Sequence, residues 1–163
     1  MTLPRIHQAP TDRSFDSPEQ EVFLNLWRTY DRLRMVEEEL FSPFGLTPQQ
    51  YNALRLLSAE HPRKIRTLDL AGRLVSRAPD ITRLLDKLEQ MGYVERDRDA
   101  GNRRVVHIGI TEAGRELLRR LREPIRRCHV RQLGHLSEQQ LKELTALLRA
   151  ARLPHEDASG PWR

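Results

Sequence analysis

Residues Leu68 to Thr111, LDLAGRLVSRAPDITRLLDKLEQMGYVERDRDAGNRRVVHIGIT, read as a short helix, a turn, a longer helix and a strand-turn-strand. In the longer helix Ile81, Leu84, Leu85, Leu88 and Met91 recur at helical spacing and form one apolar face, so Thr82, Arg83, Asp86 and Lys87 face outward. One side is built to pack and the other is free to read a partner. Pro79 suits the first turn, where a missing N–H costs nothing, and Gly92 suits the left-handed position just past the helix end.

Past Gly92 the helical period gives way to alternation. Tyr93 to Arg96 and Val106 to Ile110 read as strands, with Asp99, Ala100, Gly101 and Asn102 supplying turn chemistry and Arg103 and Arg104 at the tip. Two helices and a turn followed by a basic hairpin make a winged helix-turn-helix pattern. Its second helix has the width to enter a major groove about 12 Å across, and the hairpin reaches a neighbouring groove.

The words LAGRL, ITRLLDKLEQMGYVER and NRRVVHIGITEAG in this stretch resemble, without a gap, the reading-head helix, strand and wing of the MarR family of bacterial transcriptional regulators. With the flanking helices the resemblance covers about residues 20 to 150. It implies a fold class that is mainly α with a small β-hairpin wing, a winged helix-turn-helix framed by N- and C-terminal dimerisation helices. It also implies a homodimer on a pseudo-palindromic double-stranded DNA operator with half-sites about one helical turn apart, and a small aromatic or anionic effector bound between the dimerisation helices and the reading head. The groove-facing positions carried over are Ser76, Arg77, Pro79, Thr82, Arg83 and Lys87, with Arg103 and Arg104 of the wing at phosphates or in the minor groove. Trp27 and Tyr30 are the candidate effector contacts. The sequence departs from the family at Asn102, where an acid usually braces the arginine two residues on, here Arg104. Repression is the commoner habit of the family.

The rest of the chain frames this unit. Residues 1–17 show no sustained period and read as a flexible arm. A long helix is expected over 18–42, with Val22, Leu26, Tyr30 and Leu33 on one face and Phe23, Trp27 and Leu40 widening it. Pro43, Phe44 and Gly45 end it. Thr47 as N-cap and Pro48 at the first helical position then start a helix carrying Tyr51, Leu54 and Leu57, which leads into the winged unit of residues 46–111. Thr111 is the expected cap of the next helix, with Leu117, Leu121, Ile125 and Cys128 as its stripe and Pro124 as a kink. Ser137 to Gln140 match a capping box that opens a last helix with Leu141, Leu144, Leu147 and Leu148. Residues 112–153 thus pair with 18–42 as dimerisation helices, and 154–163 read as a flexible tail.

Composition bounds the function. The 163 residues suit one domain with arms, and 38% hydrophobic content with 6% aromatics furnishes a modest core of the kind that dimerisation completes. The formal net charge is +5, and its distribution says more than its sum. Residues 16–42 hold three basic and seven acidic side chains, whereas 112–131 hold seven basic and three acidic, so these two helices attract. Residues 61–87 also hold seven basic against three acidic side chains, with no partner helix to absorb them, and this is the expected footprint of a polyanion. The chain has no apolar run of about 20 residues and no apolar signal core, so a cytoplasmic protein is expected, with no membrane contact.

No enzyme pattern appears. The six histidines are scattered, and HExxH, GxSxG and a glycine-rich phosphate loop are all absent from the sequence. The single cysteine, Cys128, builds neither an internal disulfide nor a metal site, and it reads as a small apolar residue rather than as a thiol sensor. No cofactor and no metal are expected. The alternative is a winged helix used as a protein-interaction module without specific DNA binding, but such a module has no need of arginines on both the helix and the hairpin tip.

Overall fold

The computed structural model describes residues 15–75, 80–98, 101 and 105–156. Helix α1 spans Pro18–Phe41, α2 Pro48–Glu60, α3 Thr67–Arg73, α4 Ile81–Gln90, α5 Glu112–Leu133 and α6 Glu138–Arg152. Strands β1 (Ile65–Arg66), β2 (Val94–Arg98) and β3 (Val106–Ile110) form one antiparallel sheet in the order β1-β3-β2. By its internal contacts the chain divides into two units, residues 1–35 and Val36–Arg163.

Local chemistry explains most boundaries. The α1 helix gives way to a 3₁₀ turn, Ser42–Phe44, and Gly45 at φ 62° closes it. Thr47 then caps α2 in a reciprocal box: its hydroxyl accepts from the Gln50 N–H at 3.2 Å, and the Gln50 side chain accepts from the Thr47 N–H at 2.9 Å. Gly92, at φ 75°, takes the left-handed position that ends α4. Thr111 serves two neighbours at once, accepting from the Gly114 N–H to cap α5 and donating its hydroxyl to the Gly92 carbonyl at 2.7 Å. The end of α4 and the start of α5 are thereby tied together.

A single core fills the second unit. Phe41, Leu54, Leu57, Leu70, Leu85, Leu88, Ile108 and Leu121 are each less than 2% exposed, and they come from α1, α2, α3, α4, β3 and α5. Burying each such side chain contributes about 1.5–3 kcal/mol, so the reading head is held by packing contributed by every element around it. Cys128 lies further along the buried stripe of α5 that includes Leu117 and Leu121. It is buried, its thiol lies 3.8 Å from the Val36 carbonyl, and burial pushes its pKa up, which makes it a poor nucleophile.

Four features differ from the sequence reading: the added strand β1, the bounds of β2, the start of α4 and the start of the tail. Strand β1 has only two residues, too short to show alternation, and exists because Ile65 pairs with Ile108 of the hairpin. The first hairpin strand is displaced to Val94–Arg98, pairing Val94 with Ile110 and Arg98 with Val106. The α4 helix begins at Ile81, later than a first turn holding Pro79 would require, and Asp80 caps it, its carboxylate accepting from the Arg83 N–H at 2.9 Å. Helix α5 carries Pro124 in its interior; the carbonyl that loses its partner there is that of Arg120, an exposed residue, where water can replace the lost bond. Beyond α6, Leu153–His155 form a 3₁₀ turn and Glu156 pairs with Arg152 at 2.5 Å, so the start of the expected loose tail is ordered.

Outside that core the flanking helices keep apolar side chains in solvent. On the part of α1 in the first unit, every residue from 21 to 32 is exposed, including Val22, Phe23, Leu26, Trp27 and Tyr30. On α6, Leu144, Leu147 and Leu148 are exposed, and Leu141 alone of its stripe is half-buried.

Candidate nucleic-acid interface

The α4 helix divides as its sequence period requires. Leu85 and Leu88 are sealed in the core, with Ile81, Leu84 and Met91 packed against it, while Thr82, Arg83, Asp86 and Lys87 are exposed. What the period leaves open is which of the outward charges have partners. Asp86 faces Arg96 of β2, at 2.5 Å from its Nη1, and does not pair with Arg83 one turn back. The Asp80 carboxylate is occupied by the helix N-terminus. Among the described residues, Arg83 therefore forms no ion pair, and Lys87 makes one long contact, 3.4 Å, to Gln90.

The same sorting changes the picture of the basic stretch. Arg73 pairs with Glu60 at 2.5 Å and Arg63 pairs with the same carboxylate, which holds the Glu60 pKa below its ordinary value. The Lys64 ammonium lies 2.6 Å from both Asp97 and Glu95 of β2, and these contacts raise its pKa, Asp97 first. To get there the Lys64 stem crosses β3 over Gly109, where a Cβ would come within 2.8 Å of Lys64 Cγ. Three cations counted from the sequence as unabsorbed are thus paired inside the unit, by acids that lie outside the counted stretch. Arg66, Arg83 and Lys87 remain without an ion pair among the described residues, so the positive excess is concentrated on α4 and the entry to α3.

The structure brings Thr82, Arg83 and Lys87 together on one exposed face. Ser76, Arg77 and Pro79, like Asn102, Arg103 and Arg104 of the wing, lie outside the described residues. Sequence reasoning missed Arg96. Its guanidinium also reaches Glu89 at 3.3 Å and donates to the Thr82 carbonyl at 3.3 Å. The only signal was a pair of acids three residues apart on α4 with an arginine in the following strand, and spacing along one helix cannot reveal a partner on another element.

Three of the seven arginines of α5 pair on their own helix: Arg115 and Arg119 at Glu112, Arg119 also at Glu116, and Arg126 at Glu123. One pair reaches α1, from Arg131 to Glu39 at 2.8 Å. Between α2 and α5 lies a cavity of about 390 Å³, walled by Tyr51, Arg55 and Ser58 on one side and by Leu118, Arg122, Ile125, Arg126 and His129 on the other. Burial raises the Tyr51 phenol pKa. Trp27 and Tyr30 are exposed on α1, 63% and 59% respectively.

Comparison with known proteins accords with this architecture. A sequence model of the MarR family matches residues 46–106. A MarR transcription factor from Planctomyces limnophilus, known from a crystal structure, is 53% identical over 84% of this chain and 99% of its own, with a TM-score of 0.68. The chain belongs to the MarR family. It is a DNA-binding transcriptional regulator and not an enzyme. The transcriptional repressor MprA of Escherichia coli strain K12 is 28% identical to it over 91% of this chain and 86% of the repressor. The fold is shared with Bordetella bronchiseptica BpsR, whose DNA binding is regulated by 6-hydroxynicotinic acid; that likeness has 19% identity, covers 80% of this chain and 98% of BpsR, and has a TM-score of 0.73. No helix among the described residues is long and apolar enough to cross a membrane, and no group of metal-ligating side chains occurs among them.

Proposed function

We propose that this MarR-family chain is a sequence-specific repressor that binds double-stranded operator DNA as a homodimer and is released by a small aromatic anion. The observation that carries the DNA reading is the state of α4: its apolar half is sealed while Thr82, Arg83 and Lys87 stand exposed, and Arg83 has no ion pair among the described residues. A guanidinium in that state is available for a bidentate contact with guanine, worth about 1–3 kcal/mol of discrimination. The family resemblance assigns Ser76, Arg77 and Pro79 to the same groove. Arg103 and Arg104 take the phosphates or a narrow minor groove beside it.

The dimer reading is supported by the bare apolar faces of α1 and α6, which a second copy would cover, assigning 18–42 and 112–153 to association and 46–111 to DNA. A pseudo-palindromic operator with half-sites about one turn apart follows from that two-fold symmetry. For the effector, the α2–α5 cavity has the size of a small-molecule site, with Tyr51 and Leu118 to meet an apolar ring and Arg55 and Arg122 to meet an acid group. Trp27 and Tyr30 remain candidates only on a surface that a second copy would enclose. A cytoplasmic location fits this function.

Selecting bound sequences from a random duplex pool tests the reading directly. The expected product is a two-fold symmetric motif. Recovery without any sequence preference would reject operator recognition, and a protein that retains no duplex at all would leave the winged unit as a protein-contact module.

A further inference from the structure

We infer that Arg96 is a positioning residue for DNA reading: its guanidinium clamps α4 to the wing strand and fixes the rotation of the reading helix about its own axis. The inference rests on the proposal that α4 enters the duplex. Three acceptors on α4 meet the one side chain, the Asp86 carboxylate at 2.5 Å, the Glu89 carboxylate at 3.3 Å and the Thr82 carbonyl at 3.3 Å. Residues 82, 86 and 89 are spaced by four and three, so they form one ridge along almost two turns of the helix. Arg96 itself is 23% exposed, against 56% for Asp86 and 42% for Glu89, which places it beneath the two acids rather than out in solvent.

Magnitudes decide what such a cluster does. Exposed ion pairs contribute about 0–1 kcal/mol each, so this one is a minor source of stability. Its geometric effect is larger. A helix with its side chains has a radius of about 5–6 Å, so a roll of about 20° moves its surface atoms by about 2 Å. Hydrogen bonds tolerate a few tenths of an ångström. Leu85 and Leu88 hold α4 down on one side through non-directional packing, which resists lifting more than rolling. The three directional contacts of Arg96 act on the flank, and they tie the roll of α4 to β2, the strand that leads into the wing. Helix and wing then meet the duplex as one body. Asp86 is also drawn toward the wing, so it is turned away from base contact and its charge is compensated before any phosphate approaches.

The test uses the full-length protein with its selected operator and a scrambled duplex, titrated by fluorescence anisotropy over a series of salt concentrations. For Arg96→Gln the ratio of operator to scrambled affinity is expected to fall about tenfold or more, on the scale of one lost base contact, with the salt slope unchanged. The doubly neutral Asp86→Asn/Glu89→Gln variant is the sharper arm. It removes two negative charges beside the DNA, which by Coulomb's law alone favours every duplex, yet the clamp requires its discrimination to fall as well. Amide hydrogen exchange supplies a readout without DNA: exchange over residues 84–88 should accelerate in both variants while that of Leu54 and Leu57 in α2 stays at the wild-type rate. Equal weakening on both duplexes with a slope reduced by about one ion would show that Arg96 touches a phosphate and would overturn the inference. So would undiminished discrimination in the doubly neutral variant. A wild-type protein that does not distinguish the two duplexes would overturn the DNA reading itself, whereas wild-type discrimination that survives in both variants overturns the clamp alone.

Discussion

The reading head and the helices that flank it use the same apolar residues to different ends. In the head, leucines from α2, α3, α4 and α5 converge with Phe41 and Ile108 until each is less than 2% exposed, and the remaining charges are paired or directed outward. On α1 and α6, side chains of equal size stand in water: Trp27 is 63% exposed and Leu147 68%. A single chain therefore completes one core and leaves two apolar faces uncovered. Large exposed apolar faces are rare on monomers, so the difference teaches that the head encodes its own folding, while the bare flanks are what the proposed homodimer would cover.

Breaking the flanks should have the largest effect. Trp27→Glu combined with Leu147→Glu is expected to leave a folded head but a monomeric chain, with operator affinity down by about a hundredfold or more as the second half-site is lost. Sedimentation velocity and anisotropy measure the two halves of that statement, and a wild-type chain that sediments as a monomer would end the comparison. Breaking the head comes next. Leu88→Ala removes a fully buried side chain and should cost about 2–5 kcal/mol in urea unfolding; a loss under about 1 kcal/mol would mean that the head does not share one core.

Smaller changes sharpen the contrast at the surface. Arg83→Ala should leave the unfolding curve in place and reduce operator discrimination by about 1–3 kcal/mol, concentrated at one base position when the selection is repeated. Arg104→Ala should weaken all duplexes alike and lower the salt slope by about one ion; unchanged affinity at moderate salt removes the wing from the mechanism. The smallest effect belongs to Glu37. Burial raises its carboxyl pKa in the folded chain, with the charge of His129 opposing the shift. The folded state therefore binds this proton more tightly than the unfolded state, and stability falls as pH rises from the ordinary glutamate value through the folded one. Glu37→Gln should flatten that part of the dependence of melting temperature on pH, and an unaltered profile would show that the group does not titrate there.

Legibility followed the range of the physics. Thr47, Thr111 and Ser137 were readable as caps because a cap acts within three residues. The period of α4 showed which side packs, since Leu85 and Leu88 face one way whatever lies opposite. Charge balance was read less well. Arg63, Lys64 and Arg73 looked free in a linear count, but Glu60, Glu95 and Asp97 take them up across loops and strands.

The sequence by itself determined the helices, the hairpin, the family and the face of α4 that turns outward, because periodicity and capping depend on neighbours a few bonds away. Only the tertiary structure decided that Asp86 belongs to Arg96, that a two-residue strand joins the sheet, and that α2 and α5 wall an open cavity. Those outcomes turn on distances between elements, which packing fixes and no local spacing encodes.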